Sequence, residues 1–481
     1  MQITERNFDT NVQMLKYKVL KGVVEHFDQG TLESAYRDIP MDIAPGPKPT
    51  TRCCVYKERA IITERVRMAM GGDKENANVI EVLRIACDEC TVNRYHVGSA
   101  CRGCIAHRCE HACPTGAIEV RDGKARINQE KCIECGKCAT ACPYTAIMKY
   151  TRPCENACKI GAISMHRDNS AKIDNDKCIS CGACVYQCPF GAIVDKSFIL
   201  DVVDMIKKSD HNENYKLYAV VAPSISSQFS YAKLGQVITG IQELGFFHVV
   251  EAALGADMVS YAEAAELAEK GFLTSSCCPA FVDYIEKQFP QLKEHVSHNL
   301  SPAATIAKYI KETTPGAKVV FIGPCTAKKM EVQKERVKPY IDSCITFEEL
   351  QALFDSRDID LKSLPEGVLD NASYYGRIFA RSGGLSDAVT QALKEQGLDQ
   401  TFELKAIACD GIEACRMALL KASKKVLPAN FIEGMACIGG CIGGAGCLTH
   451  GDKNKADVDK YGMEAYEKSI EQAISLVKPK E

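Results

Sequence analysis

The sequence predicts an α/β domain with parallel sheets in its second half, preceded by a cysteine-rich α+β domain, and three observations carry that expectation. Buried-strand patterns recur just before helical stretches, as in 216–224 (KLYAVVAPS) and in 318–323 (KVVFIG) ahead of Pro324 and Cys325. Strands that alternate with helices build parallel sheets, and ligands of such sheets bind outside the strand carboxyl ends, where Cys325 falls. Between Cys87 and Cys188 the spacing C-x2-C-x2-C-x3-C-P recurs. Three more cysteine-bearing stretches follow: 274–281 (TSSCCPAF), 323–331 (GPCTAKKME) and 433–441 (EGMACIGGC).

At 481 residues the chain exceeds one ordinary core, so two or more domains are expected. The expected division is a helical and connector region over 1–80, an iron–sulfur domain over 81–200, a linker over 201–216, the α/β domain over 217–450 and a charged helical tail over 451–481. Lys+Arg 59 against Asp+Glu 62 gives a net charge of -3, which offers nucleic acid or an anionic membrane no electrostatic grip. The start, MQITERNFDT, is polar and reads as no leader, and no apolar run approaches the roughly 18 residues of a membrane span, so a cytoplasmic protein is expected.

Before Cys87 the chain carries no obvious chemistry. Asn11 to Phe27 has apolar residues at helical spacing, Arg52 to Met70 reads as a second helix, and Ile39 to Thr51, with Pro40, Pro45, Pro47 and Pro49, reads as an irregular connector. The adjacent Cys53 and Cys54 read as ordinary thiols.

Twenty-seven cysteines in a chain of this length, many at C-x-x-C spacing, point to metal rather than to disulfides. Cys132, Cys135, Cys138 and Cys142-Pro143 form the bacterial ferredoxin run, and Cys178, Cys181, Cys184 and Cys188-Pro189 repeat it. In such runs the fourth cysteine ligates the other cluster of a pair. A modified run, Cys101, Cys104, Cys109 and Cys113, precedes them, and a partial one, Cys154 and Cys158, lies between. The upstream pair Cys87 and Cys90 can complete the partial run. Exchange then predicts four sets: Cys101, Cys104 and Cys109 with Cys142; Cys132, Cys135 and Cys138 with Cys113; Cys178, Cys181 and Cys184 with Cys158; and Cys87, Cys90 and Cys154 with Cys188. At least two [4Fe-4S] clusters, and four by the full count, are expected here. Gly-Ala-Ile after several runs (116–118, 161–163, 191–193) marks the internal repeat. Zinc fits the C-x-x-C pairs less well, because zinc sites do not need the trailing C-x3-C-P. His107 and His111 read as solvated loop histidines. The stretch 196–216 is helical, then polar, which gives the linker.

One thiolate from each of the first two later stretches and two from the third suffice for a further cubane. Either Cys277 or Cys278 can ligate, which leaves the other as a free thiol beside it. Glycines next to Cys437 and Cys441 suit close approach of backbone to a cluster.

These three stretches, in this order, resemble the signature motifs of the iron-only, or [FeFe], hydrogenases, directly over about 216–450. The resemblance implies a two-lobed α/β catalytic domain with the H-cluster, a [4Fe-4S] cube joined to a diiron dithiolate with carbonyl and cyanide ligands, in the cleft. It implies Cys278, Cys325, Cys437 and Cys441 as ligands of that cube, Cys441 as the bridge to the diiron unit and Cys277 as its proton donor. It further implies that Lys328 hydrogen-bonds one cyanide, that Pro223 and Ser224 lie by the other, and that Met435 packs on the diiron unit. Glu263, Ser297 and Glu266 are implied as the proton relay, with the solvated acidic face as the alternative for Glu266, and Glu331 as the residue orienting the Lys328 loop.

Ala280-Phe281, Gly323, Ala327, Ala303 and Cys447 depart from better-known members and are similar to the branch sometimes called group B. Cys344, Cys409 and Cys415 read as buried or incidental thiols. The expected function is reversible interconversion of protons, electrons and dihydrogen, with ferredoxin or a similar low-potential carrier as electron partner and maturation factors supplying the diiron unit. A hydrogen sensor and a hydrogenase-like iron–sulfur assembly or electron-transfer protein are the alternatives.

Overall fold

The structure, a computed structural model, describes residues 8–90, 94–475 and 477. Two parallel sheets form the second half. One runs in the order His248–Glu251, Leu217–Val221, Lys318–Gly323, Ser343–Thr346, and the other in the order Leu273–Thr274, Phe431–Met435, Ala406–Asp410. Every pairing in both is parallel. Helices cover the faces, so the strands read as nearly continuous apolar runs: within Lys318–Gly323 only Lys318 is not buried. This is the expected α/β domain in two lobes.

The iron–sulfur domain consists of short antiparallel pairs, and their connectivity explains the partial cysteine run. Tyr95–Val97 pairs with Ile147–Lys149 around the hairpin Ile118–Arg121 and Lys124–Ile127. A second unit repeats this plan, Ile80–Val82 pairing with Ile193–Asp195 around Ile163–Met165 and Ala171–Ile173. The first unit is therefore inserted inside the second. Cys87 and Cys90 precede the insertion and Cys154 and Cys158 follow it, so a single loop of ligands is split in the sequence and whole in space.

The N-terminal helix Asn11–Asp28 forms where expected, capped by the Thr10 side chain, which accepts from Gln13 N. Helix Val55–Ala69 falls within the expected 52–70. The proline-rich stretch 39–51 is a connector only in part, because Pro40 lies inside helix Ala35–Ile43. The carbonyl a proline frees at i−4 is that of Tyr36, which accepts from Thr63 Oγ1 at 3.4 Å.

The regions expected to flank the α/β domain share its core. Val19, Leu20, Val23 and Val24 pack in one cluster with Leu217, Val220, Phe347 and Leu350. The same cluster takes Ile199, Val202, Val203 and Ile206, the apolar stripe of helix Ile199–Lys208, so the first part of 201–216 is a docked helix rather than a free linker. Residues beyond 450 form helices Lys453–Met463 and Ile470–Ser475, with Val458, Tyr461, Ile470 and Ala473 buried. No described helix is long and apolar enough to cross a membrane.

Candidate functional site

Folding assembles the cysteines of the iron–sulfur domain into the four expected quartets. Cys101, Cys104, Cys109 and Cys142 line one void, and Cys113, Cys132, Cys135 and Cys138 line another. Cys87, Cys90, Cys154 and Cys188 line a third, each half supplied from one side of the insertion. Cys158, Cys178, Cys181 and Cys184 lie close enough that each of the last two is pushed up by burial first and then by its neighbours in the set. Backbone N–H groups already point at sulfur: Ala117 N at 3.2 Å from Cys113 Sγ, Ala162 N at 3.2 Å from Cys158 Sγ, and Ala192 N at 3.2 Å from Cys188 Sγ. Those are the alanines of the Gly-Ala-Ile repeat. Such donors stabilise a thiolate-bound cluster. Among the described residues no three His, Cys, Asp or Glu side chains are grouped so as to hold a single metal ion. His107 lines a void with Cys101, but its Nδ1 is engaged by Glu110 Oε2 at 2.5 Å.

The Cys181 loop docks directly on the α/β domain. Thr326 Oγ1 donates to Ser180 O at 2.7 Å, and a Cβ at Gly182, whose φ is 78°, would lie 2.6 Å from both Thr326 Oγ1 and Ala445 Cβ. Only glycine fits there.

The later cysteines stand just beyond the carboxyl ends of parallel strands. Cys325 follows Lys318–Gly323 and caps helix Thr326–Glu331; Cys278 caps helix Pro279–Gln288 shortly after Leu273–Thr274; Cys437 and Cys441 follow Phe431–Met435. Burial, then the nearby Cys278 thiol, pushes Cys325 up to about 11, and burial with Cys325 and Cys278 pushes Cys441 up to about 12. Cys437 is raised for the same reasons and also feels Cys181, so the quartet of Cys158, Cys178, Cys181 and Cys184 abuts this one. The glycines here serve backbone packing: Gly440, at φ 88°, has room for no Cβ against Ser382 N at 2.7 Å.

The half-buried Cys277 feels Glu263 more strongly than any other charged group, ahead of Cys278 and Cys441 of that quartet. Burial raises it well above an ordinary thiol, with Glu263 next and Cys278 after it, so it holds its proton. Glu263 and Glu266 share one side of helix Ala252–Lys270, as the i, i+3 spacing requires. Glu263 is fully buried; its Oε1 accepts from Ser276 N and Oγ, each at 3.3 Å, and its Oε2 has no partner. Burial, opposed by the Ser297 and Ser276 hydroxyls, pushes it up to about 7. Ser297 Oγ donates to Glu266 Oε2 at 3.3 Å, and Asn299 Nδ2 donates to the same oxygen at 3.1 Å. Glu266 Oε1 meets Lys270 Nζ at 2.7 Å and His298 Nδ1 at 3.1 Å, and the His298 side chain is 76% exposed. These side chains are arrayed from the half-buried Cys277 to the exposed His298. Ser276 and Asn299 were missed from the sequence; Ser276 adjoins Cys277 in its motif and was findable, whereas Asn299 carries no spacing signal.

Lys328 is buried, with Nζ donating to Glu331 Oε2 at 2.6 Å and Ser301 Oγ at 2.7 Å, and it lies close to Cys325 and Cys277. Pro223 and Ser224 open the turn Pro223–Ser227, and the fully buried Ser224 Oγ has no partner. Met435 is 2% exposed at the end of its strand. Phe281 fills the space beside Gly434, where a Cβ would come within 2.2 Å of its ring. Gly434→Ala is expected to cost about 1–3 kcal/mol by overpacking, read as a lower denaturation midpoint. Gly323, similarly, sits under the Phe321 ring, which would lie 2.7 Å from an added Cβ. Of the unassigned thiols, Cys53 is exposed and Cys54 half-buried, while four are buried: Cys447 donates to Ile442 O at 3.3 Å, Cys415 to Met435 O at 3.5 Å, beside Cys409, and Cys344 lies within its sheet.

Residues 215–445 match the family described as iron only hydrogenase large subunit, C-terminal domain; residues 100–146 match a 4Fe-4S dicluster domain and 171–194 a 4Fe-4S binding domain. Iron hydrogenase 1 of Clostridium pasteurianum is 27% identical over 405 residues, 72% of this chain and 69% of that protein. The periplasmic [Fe] hydrogenase large subunit of Nitratidesulfovibrio vulgaris is 28% identical over 300 residues, 51% of this chain and 71% of that protein. The cytosolic Fe-S cluster assembly factor NAR1 of Botryotinia fuckeliana is 34% identical over 143 residues, 25% of each. A solved variant of the [FeFe]-hydrogenase HydA1 from Chlamydomonas reinhardtii is 21% identical, with a TM-score of 0.48, covering 58% of this chain and 92% of that one. With the three cysteine motifs in these positions, residues 215–445 form a C-terminal domain of the iron-only hydrogenase large-subunit family.

Proposed function

We propose that this chain is an iron hydrogenase that interconverts dihydrogen with two protons and two electrons. The observation that carries this is the different surroundings of two adjacent thiols: Cys278 acts on Cys325 and Cys441, whereas the half-buried Cys277 is acted on most by Glu263, whose Oε2 has no hydrogen-bond partner. The donor set fits an H-cluster: four thiols for the cube, and around them an ammonium at Lys328, an orphan hydroxyl at Ser224 and a thioether at Met435. When bound, that cofactor supplies an open iron and a base for heterolytic cleavage of dihydrogen; its diiron part must come from maturation factors, since no side chain makes carbonyl or cyanide.

Cys277 holds a proton at the cluster face and exchanges it with Glu263. Glu263, with a pKa of about 7, can both take and give a proton near neutral pH, which suits a general acid and base. Ser297 bridges to Glu266, and Glu266 meets water beside His298. Lys328 offers a fixed positive charge to anionic ligands, and Glu331 holds it in place. Phe281, Met435 and the buried strands exclude water from the inner end. Electrons from ferredoxin or a similar low-potential carrier enter through the iron–sulfur quartets and reach the catalytic domain at Cys181. The likeness to the NAR1 assembly factor favours a second reading, a protein that keeps the cube but takes no diiron unit. Loading with a synthetic diiron cofactor separates the two: carbonyl and cyanide infrared bands support the first, and their absence the second.

Glu263 also sets a pH dependence. Its folded pKa, about 7, exceeds the ordinary 4.5, so the fold favours the neutral form. Folding is unpenalised below the ordinary value, loses stability as pH rises between the two, and carries a constant cost of about 3 kcal/mol above them. Glu263→Gln is expected to remove that cost, so its denaturation midpoint rises relative to the parent at pH 8 but not at pH 4, while hydrogen production falls at both.

A further inference from the structure

The quartet Cys87, Cys90, Cys154 and Cys188 differs from the two quartets of the inserted unit in its electrical surroundings. Arg152 lines the same void, is 3% exposed, donates to Asn169 O at 2.5 Å through Nη1 and leaves its buried Nε without a partner. On another flank the Arg52 guanidinium lies 5.1 Å from the ring centre of Phe190, which also lines the void. Arg52 donates to Ala86 O at 3.2 Å, and its buried Nη1 makes no hydrogen bond, with Glu89 and Asp88 carboxylates only at 3.5 and 3.7 Å. Arg65 is 5% exposed, donates to the carbonyls of Phe190 and Gly191 at 3.2 and 2.7 Å, and again has an unpartnered Nε. Burial pushes Arg65 down, and the countercharge that opposes this is Cys188 rather than a carboxylate. By contrast, no charged side chain lines the void of Cys113, Cys132, Cys135 and Cys138. The arginines at the remaining outer quartet, Arg102 and Arg108, are exposed.

We propose that Arg52, Arg65 and Arg152 hold a cluster at Cys87, Cys90, Cys154 and Cys188 at a higher reduction potential than the other clusters of this domain, making it the place where an electron rests before entering the catalytic domain. The inference rests on the reading that this quartet binds a [4Fe-4S] cube. With four thiolates the oxidised cube is a dianion, and it takes one electron from the reduced carrier to become a trianion, with no bond made or broken. Fixed cations in a low-dielectric setting, and N–H groups aimed at sulfur, stabilise the more negative state. The position suits the role, because Cys154 faces Cys184 of the quartet that abuts the catalytic domain.

The test is a redox titration of the anaerobically reconstituted full chain, followed by electron paramagnetic resonance, with dithionite as reductant. Cys154→Ser identifies the cluster by the signal and iron it removes, and Cys87→Ser does so independently. That signal is expected to appear first as the potential is lowered. In Arg152→Gln, and separately in Arg52→Gln, its ratio of reduced to oxidised cluster at fixed potential is expected to fall at least tenfold, 59 mV for a one-electron couple, while the other signals stay in place. A signal that titrates with the other clusters, or that moves in neither variant, overturns the proposal. If both cysteine variants keep the full iron content and every signal, the quartet holds no cluster, and that reading fails together with the inference.

Discussion

Replacing Cys277 with alanine is expected to lower hydrogen production by about 10²- to 10⁴-fold, the usual contribution of a positioned proton donor, with the iron content unchanged. The separation of roles in the adjacent pair is the reason. Cys278 faces Cys325, Cys437 and Cys441, whereas Glu263 is the charged group that acts most strongly on Cys277. Removing Cys277 leaves the four cube ligands in place and cuts the relay at its inner end. Carbonyl and cyanide infrared bands of the loaded variant check that the cofactor is still held, so that lost turnover reports the proton and not the site. A loss of iron equal to that in Cys278→Ala would show instead that Cys277 ligates.

Lys329→Met is expected to destabilise the fold by about 3–5 kcal/mol, the cost of stranding buried partners, read as a fall in denaturation midpoint with early loss of iron. Lys329 is fully buried and pairs with Asp195 and Glu349, each at 2.8 Å. Lys16 joins the same group at 2.6 Å from Asp195 and 2.7 Å from Glu348. These charges come from the N-terminal helix, the end of the iron–sulfur domain and the catalytic domain, so the network ties three regions at one point. Burial pushes Asp195 up, but the Lys16 and Lys329 ammonium groups outweigh it and hold the carboxyl well below the usual range. That stabilisation is present at neutral pH and is lost as pH falls below the ordinary carboxylate value. The parent is therefore expected to lose its advantage over Lys329→Met on acidification.

Much of this site was legible in the sequence because cluster ligands come in short loops of fixed spacing, and that spacing survives without tertiary knowledge. The four quartets followed from C-x-x-C arithmetic and the exchange of the fourth cysteine. What spacing could not reveal is why Cys87 and Cys90 belong with Cys154: that needs the insertion of one antiparallel unit inside another, visible only in the pairing of Ile80–Val82 with Ile193–Asp195. The strand at 318–323 was legible because burial on both faces leaves an unbroken apolar run. The helix at 199–208 was harder to place. Its apolar stripe was readable, but the polar residues after it suggested a free connector, and only packing against the Leu217–Val221 sheet shows it as core. Pro40 was misleading for a related reason, since the hydroxyl of Thr63 compensates the carbonyl it frees. Arginines around Cys188 carry no sequence signal at all, because Arg52, Arg65 and Arg152 converge from three separate segments.

The most direct measurement is hydrogen evolution from reduced viologen by the anaerobically reconstituted chain, before and after loading with a synthetic diiron cofactor. The account predicts no turnover before loading and sustained turnover after it. Loaded protein that shows carbonyl and cyanide bands yet produces no hydrogen would contradict the enzymatic reading and favour a sensor.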